Sequence, residues 1–280
     1  MEQNNLNGAL QKPVGSGFNA ASTTSDVIKG VDLNGKIAIV TGGTAGLGLA
    51  IARELASNGA TVIITSRKKS KLKKACRSDD MNFYGFQLDV SKNNSIIKFI
   101  ENISEVFSTV DILVNNAGFP FERKVWFKKL HDVSDQELMN ILQVDLIGSF
   151  RITKEILKIM IKKRRGVIIN IASTPAISGH ICGSPYSIAK AGLISLTKHI
   201  SSEYGQYNIR SYSLALGDIY TDSMCKSLSR NEIVKAKSEN AMKRLGRPEE
   251  IAKSIVSLAS GDFSFSTGIT IVVDGGKVII

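Results

Sequence analysis

The chain has 280 residues, 43% of them hydrophobic and 22% charged, and 36 Lys and Arg against 25 Asp and Glu give a formal net charge of +11. That balance fits one large domain with a full core and excludes a disordered or collagen-like chain. No apolar run reaches the roughly 20 residues that span a bilayer, and the polar opening from Met1 to Asn7 lacks the order of a secretory leader, so the expectation is a cytoplasmic protein without membrane attachment.

Residues 1–32 are rich in Asn, Gly, Ser and Thr without sustained periodicity and read as an N-terminal extension. From Lys36 onward, short β-branched runs at 37–40, 61–65, 83–88, 112–114, 167–171, 209–214 and 269–273 read as seven strands. Segments 48–58, 96–107, 135–163, 187–204 and 248–259 carry apolar residues at three-and-four spacing and read as helices between them. Such a βαβα succession predicts an α/β fold, a single doubly wound Rossmann-type domain over 33–280. Its seven-stranded parallel sheet would bind ligands at the strands' carboxyl ends.

Along that order, the first strand runs into Thr41-Gly42-Gly43-Thr44-Ala45-Gly46-Leu47-Gly48, with a helix from about Leu49. Gly42, Thr44, Gly46, Leu47 and Gly48 would bring backbone and a helix amino end up to a pyrophosphate. The same turn without a ligand is the plainer reading. The second strand ends in Thr65-Ser66-Arg67-Lys68-Lys69. An NAD site usually has a carboxylate there, whereas a 2′-phosphate asks for a cation, so Ser66 and Arg67 argue for NADP(H), with NAD(H) still open.

Further on, Tyr186 and Lys190 stand four apart at the start of a helix and so share a face. An ammonium beside a phenol stabilises the phenolate, which suits the phenol to proton transfer near neutral pH. Ser173 follows the fifth apolar run and could hydrogen-bond a substrate oxygen. Tyr-x-x-x-Lys alone is weak evidence.

The combination of these motifs is specific. Asp89 and Val90 follow the third strand, Asn115-Asn116-Ala117-Gly118 the fourth, and Gly246-Arg247-Pro248-Glu249-Glu250 and Asp274-Gly275-Gly276 come near the end. From Leu33 to Gly276 the sequence resembles the short-chain dehydrogenase/reductase family. The resemblance implies hydride exchange between the nicotinamide cofactor and a small-molecule carbonyl or alcohol, with Tyr186 transferring the proton, Ser173 orienting the oxygen and Lys190 tuning Tyr186. It also implies that Asp89 and Val90 flank the adenine, that Asn116, Ala117 and Gly118 line the cofactor, and that Lys190 and Tyr186 reach the nicotinamide ribose. Gly217, Ile219 and Thr221 would border the nicotinamide, with Thr221 on the carboxamide.

Two positions depart from the family pattern. Asp145 stands where the family has an Asn that holds a water leading to the lysine, and Leu216-Gly217 replaces Pro-Gly. Asp145 is expected to act in the relay through such a water, or else to face solvent or cap a turn. The overall pattern looks most like reductases of 3-oxoacyl thioesters, and a basic surface suits an acyl carrier protein or coenzyme A thioester. A sugar or polyol dehydrogenase is the alternative, and a catalytically inactive nucleotide-binding regulatory protein the alternative of another class. The family also implies a homotetramer, with the apolar Val278-Ile279-Ile280 near a subunit contact.

The basic run 67–74 invites an anionic partner, whereas 162–165 reads as the cationic end of a long helix. Nothing further supports nucleic-acid binding. Cys76, Cys182 and Cys225 read as reduced, buried thiols. His131 and His199 suggest no metal site; His180, Trp126 and Phe127 could line a substrate mouth or pack beneath a loop.

Overall fold

A computed structural model describes residues 30–77 and 83–279. Most of the proposed extension at 1–32 therefore lies outside the described residues, as does Ile280. Residues Val31–Ile280 form one compact unit. Seven parallel strands build its sheet: β1 (Ile37–Val40), β2 (Thr61–Ser66), β3 (Phe83–Gln87), β4 (Ile112–Asn115), β5 (Gly166–Ser173), β6 (Ile209–Leu216) and β7 (Ile269–Val273). They lie in the order β3-β2-β1-β4-β5-β6-β7, so the chain winds outward from β1 in both directions and leaves a crevice where the direction reverses.

Alternation along the strands decides which helices cover which face. Ile39, Ile63, Leu113 and Ile168 pack with Ile96, Phe99 and Ile103 of α3 (Asn93–Val106) and with Ile152, Ile156 and Met160 of α6 (Ser149–Lys163). The neighbouring strand residues Ala38, Val40, Val62 and Ile64, equally buried, point to the other face. Two helices that pack on each other, α1 (Gly46–Ser57) and α11 (Pro248–Ala259), supply buried Ile51, Leu55, Ile251 and Ile255. Helix α8 (Ser184–Tyr204) lies along β5 and β6.

Several boundaries differ from the sequence reading, each for a local reason. Helix α1 starts at Gly46 rather than 48 or 49, because the glycine at φ +52 opens the first turn itself. Helix α8 starts at Ser184 rather than 187, with Pro185 supplying a first turn that needs no amide donor. A lysine-rich helix, α2 (Lys69–Arg77), follows β2; only Leu72 and Ala75 are buried on it, too sparse a stripe to show as periodicity. Four further helices were not foreseen: α4 (Arg123–Trp126), α7 (Pro175–Ser178), α9 (Asp222–Ser227) and α10 (Arg230–Ser238). The single helix expected over 135–163 is interrupted. Helix α5 (Asp135–Leu142) passes into a π-helical segment, Gln143–Gly148, before α6 begins. At its far end Arg164 takes a left-handed conformation, φ 49, so 162–165 is the helix terminus the charge pattern indicated. The three cysteines are free thiols but half-buried, not buried: Cys76 lies in α2, Cys225 in the short α9 and Cys182 in the loop before α8.

Candidate active site

The carboxyl ends of β1, β2 and β4 open into a cleft of about 250 Å³. Its floor is the turn after β1. Gly42 (φ +68) and Gly46 (φ +52) occupy the left-handed region, and a Cβ on Gly48 would come within 2.5 Å of Gly42 O, so each residue there must be glycine for the chain to fold back this tightly. No side chain caps the α1 amino terminus, which leaves its first amides free to meet an anion. Thr44 and Ala45 line the cleft beside them, with Leu47 in the first helical turn.

Thr41 organises this floor, a role the sequence reading missed. Its hydroxyl accepts from Asn116 N and Ala117 N at 3.0 Å each and donates to Val114 O at 3.2 Å, locking the β1 and β4 ends together. Asn116 Nδ2 donates to Thr41 O at 2.8 Å, so Asn116 lines the cleft and braces the glycine turn at once. Thr65 adds a further brace, accepting from Gly42 N.

Ser66, Arg67, Lys68 and Lys71 form one end of the cleft, with Asp89, Val90 and Leu88 across from them. Asp89 Oδ1 accepts from Ser91 N and Oγ at 3.1 and 2.6 Å, which fixes the loop after β3. Ala117, Gly118 and Val144 continue the wall toward the other end. These residues fit a dinucleotide carrying an extra phosphate: bare backbone at the centre, three cations at one end and no carboxylate beside Ser66. Lys68 and Lys71 were not singled out from sequence, because in a run of lysines only the turn at the end of β2 decides which of them face the cleft.

At the other end, β5 and β6 run two residues past the apolar stretches read from sequence, which brings Ser173 to the sheet edge opposite Leu216. Ser173 Oγ donates to Leu216 O at 3.2 Å, a bond its hydroxyl can leave by rotating. Gly217 N bonds Val273 O at 3.1 Å, Ile219 bridges to Gly246, and Thr221 packs over Gly46 while its Oγ1 caps α9 by accepting from Met224 N.

Helix α8 carries Tyr186 and Lys190 into the same corner. Lys190 Nζ donates to Ile171 O at 3.0 Å, two residues before Ser173, and lies 5.4 Å from the Tyr186 ring centroid. The expected water between Lys190 and Asp145 is not needed: Asp145 Oδ2 lies 3.3 Å from Lys190 Nζ, and Asp145 is 1% exposed. Nor does Asp145 face solvent. Its Oδ1 accepts from Phe119 N, its backbone carbonyl from Ser149 Oγ, and it sits within the π-helical segment on the face shared with buried Ile141 and Ser149. The approach to Lys190 is an ion pair rather than an aligned hydrogen bond, since Asp145 Oδ2 has no hydrogen-bond donor. Burial works against the Lys190 charge, but the Asp145 carboxylate and then Tyr186 outweigh it and hold the lysine above its ordinary pKa of 10.5.

Trp126 sits beside Tyr186, with ring centroids 5.6 Å apart, and beside His180 at 5.8 Å. Phe127 instead turns outward, 45% exposed under the Arg123 guanidinium.

A parallel sheet that joins such a cleft to a serine, a tyrosine and a buried lysine is the framework of oxidoreductases that act on CH–OH and C=O groups with a nicotinamide cofactor. The family model described as enoyl-(acyl carrier protein) reductase matches residues 42–277. The chain belongs to the short-chain dehydrogenase/reductase family. It is 37% identical over 250 residues to the 3-oxoacyl-[acyl-carrier-protein] reductase FabG of Aquifex aeolicus, covering 88% of this chain and 98% of that protein. The FabG of Vibrio cholerae is 36% identical over 250 residues, 89% of this chain and 100% of the relative. Among solved structures, a candidate gluconate dehydrogenase from Agrobacterium tumefaciens superposes with a TM-score of 0.84 at 30% identity, covering 89% of this chain and 98% of that one. The chain is therefore an enzyme of carbonyl and alcohol interconversion. Among the described residues, no helix is long and apolar enough to cross a membrane.

Proposed function

We propose that this enzyme reduces a 3-oxoacyl thioester, presented by an acyl carrier protein or coenzyme A, with NADPH as the hydride donor. The observation that supports the reading is the Lys190–Asp145 pair beside the Tyr186 ring, with Asp145 against Gly118 in the wall of a cleft that also bears Arg67, Lys68 and Lys71. The relatives described as 3-oxoacyl-carrier reductases support the substrate class. Bound NADPH supplies the hydride; the chain supplies the rest. Ser173 Oγ orients the carbonyl oxygen, Tyr186 Oη gives it a proton, and the Lys190 ammonium stabilises the negative charge that develops on the phenol oxygen. Asn116 and Thr41 keep the glycine turn in shape, and the α1 amides with Thr44 hold the pyrophosphate. An inactive nucleotide-binding protein would have no use for a lysine kept charged in the core beside a tyrosine.

Arg67 gives the experiment that tests both cofactor and reaction. Steady-state reduction of a 3-oxoacyl thioester should favour NADPH, and Arg67→Ala should raise the KM for NADPH by about tenfold while leaving NADH nearly unchanged. Equal losses with both cofactors would refute the phosphate role. Faster oxidation of polyols than reduction of thioesters would favour the sugar dehydrogenase reading instead.

A homotetramer follows from the same reading. Phe150 on α6, Ile188 on α8, and Phe265 and Ile279 near the carboxyl end are all exposed, the last two almost wholly, and such surfaces seek a partner. Light scattering should give about four times the 30.3 kDa chain mass, and the monomer mass would contradict it. A cytoplasmic location fits three free thiols.

A further inference from the structure

Trp126 is the chain's single tryptophan, and it stands at the end of α4, against the loop that leads into α8 and beside the reactive tyrosine. Gly183 N donates to Trp126 O at 2.8 Å. The same glycine, at φ +70, presents a bare α-carbon to the indole: a Cβ there would lie 2.5 Å from Cζ3. Gly183 immediately precedes α8, one turn before Tyr186. Beneath, Val125 is buried against Ile141 and against Ala189, the neighbour of Lys190. The indole is thus fixed to α8 at two levels, by its own backbone and ring above and by Val125 below. On its open side it meets Phe121 at 5.6 Å and His180 at 5.8 Å. The His180 ring is itself tied down, its Nδ1 engaged with the Cys182 backbone.

We propose that Trp126 is the specificity-determining wall of the substrate site: its ring packs on the carbon chain next to the reacting carbonyl, and its contact with Gly183 positions Tyr186. The inference rests on the carbonyl-reductase reading above and sharpens it. An indole flanked by a phenyl ring offers apolar faces and few hydrogen-bond partners. A polyol laid there would leave hydroxyls unpaired, each costing far more discrimination than a methylene gains. An unbranched acyl chain gains contact and loses nothing, and a branch at the carbon between the keto group and the thioester would strike the ring. The wall therefore selects linear 3-oxoacyl groups over both polyols and branched ketones.

The single tryptophan makes the test direct. With the wild-type protein saturated with NADP⁺, which cannot reduce a ketone, adding the N-acetylcysteamine thioester of a linear 3-oxoacid should shift or quench Trp126 emission along a saturable curve. In steady state with NADPH, Trp126→Ala should raise the KM for the linear thioester by about tenfold or more, leave the KM for NADPH unchanged, and improve relative activity on the 2-methyl-branched analogue. Trp126→Phe should restore most of the loss and folds as a ring-for-ring exchange. Unchanged emission, or a Trp126→Ala protein with wild-type KM and branched-to-linear ratio, would overturn the proposal. So would a loss confined to kcat and melting temperature, equal for every substrate, which is the mark of a purely structural tryptophan. A wild-type protein that fails to oxidise NADPH with every ketone tested would remove the underlying reading as well, and that failure is distinguishable because it needs no variant.

Discussion

Tyr186→Phe should lower kcat for carbonyl reduction by about 10² to 10⁴ fold, the usual worth of a positioned proton donor, while NADPH binds nearly as before. The ring remains, so its packing on Trp126 and its place over Lys190 remain, and only the hydroxyl is lost. Melting temperature should move little. Isothermal titration with NADPH, set against single-turnover reduction, separates binding from chemistry. A variant with a near-native rate would mean that another group supplies the proton.

The second large effect concerns the pair buried beneath that tyrosine. Replacing Asp145 by Ala leaves the Lys190 ammonium in the core with Ile171 O as its remaining partner, and removing one member of a buried ion pair costs about 3–5 kcal/mol. Denaturant unfolding at neutral pH should show a loss of that order. The pH dependence follows from the direction of the lysine shift. In the native protein Lys190 titrates above its ordinary 10.5, so the pair's contribution is complete below about that pH and is lost as the pH rises through the folded value. Without Asp145, burial is unopposed and the ammonium is penalised; deprotonation at high pH relieves it. The stability gap between native and variant should therefore begin to close below pH 10.5, where the penalised lysine of the variant gives up its proton, and go on closing as the pH rises through the raised native value. A gap that stays constant into that alkaline range would argue against an ion pair.

Asp145→Asn, which removes the same charge but keeps the side chain's size, probes the chemistry. The amide can still accept from Phe119 N, but it no longer cancels the lysine charge felt by Tyr186. The phenolate is then better stabilised, and the alkaline limb of the reduction rate should move to lower pH with activity retained. An unmoved limb would show that the carboxylate charge does not reach the tyrosine.

How far such a site can be read from sequence depends on which forces place each residue. The strands were legible because β-branched runs at 37–40 and 61–65 bury on both faces and leave little else for those residues to do, while the run at 269–273 kept its β-branched character on a half-buried edge strand. The glycine turn, Ser173, Tyr186 and Lys190 were legible through spacing on a known scaffold. Ser173 nonetheless reached the sheet edge because β5 continues through Ala172 into a polar residue, where an apolar pattern stops. The π-helical segment was invisible. Ile141, Leu142 and Leu146 keep helical spacing across it, and one extra residue in a turn shifts the register without changing the pattern. Asp145 keeps four-residue spacing with buried Ile141 and Ser149, so its inward face was in the pattern; the direct contact with Lys190 was not, because it depends on how α8 packs against this segment. Trp126 was equally underdetermined, since its place is fixed by Gly183, 57 positions later in the sequence, and no local signal connects the two.

The most direct test of the central claim follows a labelled hydride. NADPH carrying deuterium at the transferable position of the nicotinamide is incubated with the purified wild-type enzyme and a linear 3-oxoacyl thioester, and the acyl product is examined by mass spectrometry. The account predicts one deuterium on C3 of a 3-hydroxyacyl product, formed by the wild-type protein and almost absent with Tyr186→Phe. NADPH bound at saturation with no deuterium transferred to any carbonyl, or deuterium delivered equally well without the Tyr186 hydroxyl, would contradict it.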